Sequence, residues 1–404
     1  MIPYVKLSNL RESSVTLVGV KVLLLADVSP WQVIGGAERV LREHAVRLAR
    51  RGHRVVVLCR QPAPEAPPIV TINEVEVRHV RGERRWPWDW TLGVAWRARK
   101  MMRDLSPDAL IAYQPIVCWG ASGDGRVPLV YCFLSPASDE YATRHAPGLF
   151  RRVGSTLLGW IESRVIARAK EVVVLSEFSR GELRRHHGRN VGKVRLILGG
   201  VDTQVFRPVG DPSVARDEVG LPQDGPLLVT IRNLVPRMGL GVLLRAMPEV
   251  LSEIPNATLA IGGQGPLRKE LEQLSEILGV HSRVRFLGYV EEERLPSLLS
   301  AADLFVLPTV LMEGFGLVTV EALACGTPVV GTSVGATPEI LAPLDEGLLV
   351  ADAQPSTLAK KIVERLKVAA DDPDQNARFR RSCREYAKKY DWEFAVDALE
   401  GSLP

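Results

Sequence analysis

Residues 313–328 read EGFGLVTVEALACGTP, and the order of residue types in them decides the architecture. An apolar run at 304–307 leads into the Pro308-Thr309 break, and Glu313-Gly314-Phe315-Gly316 follows. Residues 317–324 then read as a helix, with Gly326 just past its end and Pro328 enforcing the stop. Val329-Val330-Gly331 opens the next strand. A strand, a glycine-rich turn, a helix and a strand put the amides of Leu317 and Val318 at a helix N-terminus. There they lack intrahelical acceptors, and the aligned peptide dipoles attract an anion. Two carboxylates flank that end. Glu313 lies in the turn, and Glu321 lies about one helical turn inward, within reach of a ribose diol whose hydroxyls both donate to a carboxylate. Glycines at 314 and 316 let a ligand approach the backbone. Phosphate, ribose and one further hydroxylated group outline a sugar nucleotide. The plainer reading is a capped helix whose two acids face solvent.

The chain has 404 residues, about right for two domains. Charged residues are 24% and hydrophobic residues 46%, which describes a soluble globular protein. No apolar run approaches the roughly 20 residues of a membrane span. The first residues, MIPYVKLSNLRESS, lack the pattern of a secretory signal. Five cysteines, at 59, 118, 132, 325 and 383, form no CxxC pair, so reduced thiols in a cytoplasm are expected. The seven histidines show no metal-ligand spacing, so no metal is expected, and nothing in the pattern calls for a nucleic acid. Net charge is only +4, but residues 1–200 carry +13 and residues 201–404 carry −9. The basic half implies a phosphorylated acceptor, a membrane surface, the other half of the chain as its partner, or simply a solvated basic surface.

Residues 21–26, KVLLLA, read as a buried parallel strand. A loop ends in Gly35-Gly36, a helix spans 37–51, and residues 54–59 form the second strand. This βαβ unit lacks the three spaced glycines and the closing acid of a dinucleotide fingerprint, which disfavours a nicotinamide oxidoreductase. Residues 70–80 read as a strand pair. Residues 81–103 combine Trp86, Trp88, Trp90 and Trp96 with seven Lys and Arg, and 91–105 fits an amphipathic helix. Strands follow at 110–113 and 129–133, then a loop over 134–141, a long helix at 148–170 and a strand at 171–175. Ser176 is placed to cap the next helix. After a linker at 208–212 the pattern begins again: strands at 226–230, 257–261 and 284–287 alternate with helices at 240–252, 266–278 and from 292. A helix at 356–370 and a helical tail at 377–398 complete the chain. Two βαβ-rich halves of similar length make a repeat of fold, not of sequence.

Glu313, seven residues, Glu321, then Gly326-Thr327-Pro328-Val329-Val330 resembles the signature of glycosyltransferase family 4, the retaining, nucleotide-sugar-dependent enzymes that include glycogen-synthase-like and sucrose-synthase-like transferases. Gly35 to Arg39, Gly-Gly-Ala-Glu-Arg, matches the same family after its first strand. The resemblance implies an α/β protein of GT-B fold, two Rossmann-like domains whose parallel sheets face each other across a cleft. Residues 1–205 would bind the acceptor and 206–385 the donor nucleotide, with 386–404 a C-terminal helix crossing back to the first domain. It further implies sugar transfer, with retention, from a nucleoside-diphosphate sugar to a hydroxylated acceptor, anionic or lipid-linked. The sugar nucleotide serves as co-substrate and no cofactor or metal is required. Glu313 would hold sugar hydroxyls and Glu321 the ribose, while Arg232, Arg237 and the Leu317 and Val318 amides hold the diphosphate. Gly35, Gly36, Asn233, Met238, Gly263, Gly314, Phe315 and Gly316 would lie against the donor, and Tyr289 and Val290 near its base. Some relatives dock on membranes through basic, aromatic helices of the first domain, which makes peripheral association with the inner membrane face an expectation for 81–103. The alternative is core tryptophans beside a solvated basic face.

Two departures from the family qualify these expectations. Relatives often begin the loop after the 129–133 strand with a histidine near sugar and acceptor. Here that position is Leu134, and Asp139, Glu140 and Arg144 are the substitute acceptor contacts. In the loop after 226–230, relatives place an Arg and a Lys on the departing diphosphate. The Lys position is Met238, and the Arg position aligns with Asn233 or with Arg232. A catalytically impaired or repurposed sugar-nucleotide-binding homologue, and a sugar-nucleotide epimerase on the same fold, remain as alternatives. The oligomeric state is open.

Overall fold

Runs of buried aliphatic residues build two sheets. A computed structural model describes residues 19–31, 35–81, 92–122, 125–144, 148–188 and 191–404. The readings for residues 1–18, for Trp86, Trp88 and Trp90, and for the helix start at Thr91 lie outside the described residues. The first sheet contains β1 (Lys21–Ala26), β2 (Arg54–Arg60), β3 (Ile69–Ile72), β4 (Val75–Val80), β5 (Ala109–Ala112), β6 (Leu129–Phe133), β7 (Glu171–Val174) and β8 (Lys193–Leu196). Its order is β3-β4-β2-β1-β5-β6-β7-β8, parallel except for the β3–β4 hairpin. Asn73 and Glu74 turn that hairpin with φ of 49° and 66°, the two positive values a two-residue primed turn needs. The second sheet contains β9 (Leu227–Ile231), β10 (Thr258–Gly262), β11 (Val284–Gly288), β12 (Leu304–Leu307), β13 (Val329–Thr332) and β14 (Leu349–Val350). It is wholly parallel, in the order β11-β10-β9-β12-β13-β14. The expected pair of Rossmann-like domains is therefore present. One apolar cluster backs each sheet, and a third runs from one domain to the other through Val201, Phe315, Tyr390 and Trp392.

Several short elements escape a local reading. Residues 134–141 were expected as a loop, yet Ala137–Arg144 is a helix, as are Pro115–Ala121 and Pro212–Glu218. The first two take their N-terminal acceptors from distant residues. Asp27 accepts from the amides of Val117 at 2.8 Å and Ile116 at 3.2 Å, and Glu162 accepts from Ala137 at 3.1 Å. The tail, expected as one helix, is two: Pro373–Ala387 and Trp392–Glu400, with Asp391 capping the second. The break arises because Val201, on the segment that crosses between domains, donates to the Tyr390 carbonyl at 2.8 Å and accepts from the Trp392 amide at 3.2 Å.

The tail does return to the first domain, as expected. Trp392 is fully buried there, and a Cβ at Gly200 would fall 2.4 Å from its ring. The Gly36–Arg50 helix and the residue after it meet acids from the second half of the sequence: Arg47 pairs with Asp202 and Glu393, and Arg51 pairs with Glu393, Asp397 and Glu400. Of the partners open to the basic half, the acidic half is the one these contacts supply.

His44 lies in this junction, its Nδ1 2.7 Å from the Tyr113 hydroxyl and its ring edge-on to Trp392 at 5.7 Å. Burial, and secondarily the charge of Arg47, push its pKa down to about 3. A histidine neutral when folded and ordinary when unfolded supplies stability in full above about pH 6.5, and that stability is lost as pH falls from there toward 3. Thermal unfolding scanned from pH 7.5 to 5 is expected to show a smaller fall in Tm for His44→Phe than for the parent chain; equal slopes would mean His44 does not titrate as its burial requires.

Candidate active site

Each sheet reverses its strand order at one place, between β1 and β5 in the first and between β9 and β12 in the second. Loops at the carboxyl ends of such switch points are where open α/β sheets bind ligands. The two sets of loops face each other around a cavity of about 600 Å³.

On the second domain the cavity is floored by the turn between β12 and the Leu317–Ala324 helix. Gly316 caps that helix with φ of 89°, a conformation that favours glycine. Leu317 and Val318 follow as its first two residues, and both line the cavity. Glu313 is buried, and its carboxylate is gripped by the Arg232 guanidinium and by the Thr309 hydroxyl at 3.0 Å. Its carbonyl accepts from Ala336 at 2.8 Å. Gly314 packs so closely on the first domain that a Cβ would lie 2.8 Å from the Leu134 carbonyl. Phe315 reaches the cavity wall, but its ring sits over Gly199 and 5.8 Å from Tyr390, so its larger part is packing.

In the loop after β9, the two residues open for the Arg position, Arg232 and Asn233, differ in burial. Arg232 is the buried residue, and its Nη2 contacts Glu313, the Thr309 hydroxyl at 2.9 Å and the Met238 sulfur at 2.7 Å. Its Nε and Nη1 have no partner among the described residues. Met238, at the position where the family resemblance implies lysine, thus packs on the neighbouring cation. Asn233 is exposed at the cavity edge, and Arg237 donates to the Met312 carbonyl at 2.9 Å. Gly263, Tyr289 and Val290 line the far side. Gly263 has φ of 129°, and its missing Cβ would meet the Arg232 carbonyl.

On the first domain Gly35 and Gly36 open the Gly36–Arg50 helix, and the open side of Gly36 faces a Leu317 methyl across the gap. Leu134 and Glu140 line the cavity. Asp139 does not: its carboxylate turns to His186 at 3.2 Å, which corrects the expectation that it faces the acceptor. The Arg144 side chain lies outside the described residues.

The sequence reading passed over three contacts that shape the cleft. Arg39 reaches from the first domain to Glu321, and with Arg42 also holds Glu292. Ser176 caps its helix as expected, accepting from the Ser179 amide at 3.0 Å, but it also donates to the Gly314 carbonyl at 2.6 Å. Glu339 of the second domain accepts from the amides of Glu177 and Phe178 at 2.8 and 2.7 Å. Only Arg39 carried a signal, as the last residue of the Gly-Gly-Ala-Glu-Arg stretch.

Comparison with known proteins agrees with this geometry. Residues 34–205 match the family described as Glycosyltransferase Family 4, and residues 213–390 match Glycosyl transferases group 1. A D-inositol 3-phosphate glycosyltransferase 2 of Catenulispora acidiphila is 35% identical over 390 residues, covering 90% of this chain and 88% of that one. Among solved structures, a sucrose-phosphate synthase of Thermosynechococcus elongatus superposes with a TM-score of 0.79 at 22% identity, covering 95% of this chain and 98% of that one. The Anabaena protein HepE in complex with UDP-glucose superposes with a TM-score of 0.75 at 22% identity, covering 95% and 100%. These likenesses span both domains and the cleft between them, and the chain belongs to glycosyltransferase family 4, as a glycosyltransferase of the GT-B fold.

Proposed function

We propose that the protein transfers a glycosyl group, with retention, from a nucleoside-diphosphate sugar to a hydroxylated acceptor. The observation that carries this reading is the buried Arg232–Glu313 pair beside the N-terminus of the Leu317–Ala324 helix. In this reading the diphosphate lies against the Leu317 and Val318 amides. The unpartnered Nε and Nη1 of Arg232 supply positive charge there, and Arg237 stands beside them. When the anomeric C–O bond breaks, its electron pair goes to the departing phosphate, and cations already in place lower that barrier without reorganising. The acceptor hydroxyl attacks from the same face and passes its proton to a phosphate oxygen. Glu313, fixed by Arg232 and Thr309, holds sugar hydroxyls next to the developing positive charge. Glu321 takes the ribose. The scheme calls on no metal ion, because the arginines do that work. The Anabaena relative bound to UDP-glucose lends support to the donor class.

A separate observation favours peripheral membrane association. The Leu149–Arg168 helix exposes Leu149, Phe150, Val153, Leu157 and Trp160, with Phe150 91% exposed, along one helical stripe. Trp160 meets Trp119 edge-to-face at 6.0 Å and carries the Arg164 guanidinium over its ring at 5.0 Å. Trp96 stands exposed on the Val94–Leu105 helix with Arg99, Lys100 and Arg103. Apolar side chains rimmed by cations suit an anionic bilayer, here the inner face of a membrane. No helix among the described residues is long and apolar enough to cross one.

Two measurements test these readings. With UDP-, GDP- and ADP-sugars and no acceptor, slow donor hydrolysis is expected. Arg232→Gln and Glu313→Gln each lower kcat/KM by about 10² to 10³, the loss typical of one preorganised charge-stabilising group. Glu321→Gln acts mainly on KM. Tight nucleotide binding with no turnover of any donor would instead identify an impaired homologue, and an isomerised sugar an epimerase. Separately, vesicles containing phosphatidylglycerol are expected to sediment the parent chain and to release it at high salt. Phe150→Asp with Trp160→Asp should abolish sedimentation while leaving donor hydrolysis intact, and unaltered sedimentation would sink the membrane reading.

A further inference from the structure

Glu321 is 2% exposed, yet its partner comes from the other domain. Arg39 stands on the first turn of the Gly36–Arg50 helix, and its Nη1 grips Oε1 of Glu321. The same guanidinium reaches Glu292 through Nη2 at 3.3 Å, and Arg42, one turn on, holds Glu292 at 2.8 Å. The second oxygen of Glu321, Oε2, has no partner among the described residues and is not sealed from the cavity that Glu321 lines.

We infer that Arg39 is a positioning residue that couples cleft closure to nucleotide binding: it holds one oxygen of Glu321 from the opposite domain and leaves the other for the donor's ribose. This rests on the reading that Glu321 takes the ribose. The physical case follows from where the charges lie. A buried carboxylate left without a partner is costly, so Glu321 is in its binding geometry only while a cation faces it. That cation belongs to the first domain, so the pair exists only when the domains are together. A ribose hydroxyl donating to Oε2 then adds to a site that closure has built, and by linkage the nucleotide favours the closed form by the same factor. The contacts of Ser176 with Gly314 and of Glu339 with the Glu177 and Phe178 amides also join the domains. None of them touches Glu321, so they hold the cleft shut without sensing what it contains.

The test uses the full-length chain with calorimetry and small-angle X-ray scattering. The probes are UDP, GDP and ADP and their 2′-deoxy counterparts. Arg39→Gln is expected to weaken binding of the best diphosphate by about 5- to 150-fold, the range of ordinary coupling between sites. It should also reduce the compaction that the nucleotide produces. Arg39→Lys should restore part of both, since a cation returns but the fork does not. The double variant Arg39→Gln with Glu321→Gln should be no weaker than Glu321→Gln alone. Glu339→Gln should loosen the unliganded protein and yet keep the preference for ribose over deoxyribose. If Arg39→Gln binds and compacts as the parent does, the coupling is refuted while the ribose assignment stands. If Arg39→Gln binds more tightly, Arg39 blocks the site instead of building it, and the inference falls. If Glu321→Gln keeps the full preference for ribose over 2′-deoxyribose, the ribose assignment itself fails, and this inference with it.

Discussion

Two carboxylates can be held within one short turn and helix, almost out of water, only because each has a guanidinium against it. Glu313 is met by Arg232 and Glu321 by Arg39. The first cation comes from the same domain, at the end of β9, and the second comes from across the cleft. This constraint orders much of what surrounds it. Gly263 must lack a side chain so that Arg232 can occupy its place, and Gly335 must turn left-handed against the Glu313 backbone. Met238 packs its sulfur against the first of these guanidiniums. The elbow is thus a charge-balanced unit before any ligand arrives, and both Arg232 and Glu321 line the same cavity.

The division of charge along the chain has a related cause. The surplus of arginine in the first half and of acid in the second reads from the sequence as an invitation to an outside anion. Much of it is spent internally. Arg39, Arg42, Arg47 and Arg51 follow one helix, and each meets an acid from beyond residue 200. A covalent chain whose halves carry opposite signs brings its own counterions, and the junction between its domains is where they meet.

What was legible in the sequence was what depends on near neighbours. Gly326 and Pro328 end the helix of the elbow, Ser176 caps its helix, and the continuous apolar runs become parallel strands. The alternation of strand and helix gave both domains. What was hidden depends on residues far apart in the chain. Asp27 caps a helix some ninety positions later, and without it Pro115–Ala121 has no reason to form. Val201 breaks the tail helix, and Arg39 meets Glu321 across 282 positions. Asp139 was expected in the site as a substitute for the contact missing at Leu134, but on a helix its neighbour Glu140 faces the cavity and Asp139 turns to His186. Local pattern fixes which way a strand or helix runs, whereas the partner of a charge is set by packing that no window of sequence contains.

The chain passes between the domains twice, at Val201 and again at Tyr390 to Trp392, and the two passages are hydrogen-bonded to each other. A single linker would let the halves swivel freely. Two hydrogen-bonded passages crossing at one place confine the swivel to a hinge beside them. Phe315 packs directly against both passages. The acidic elbow therefore sits beside the pivot, where a small rotation is enough to part Arg39 from Glu321, while the outer rim of the cleft lies on a longer arm.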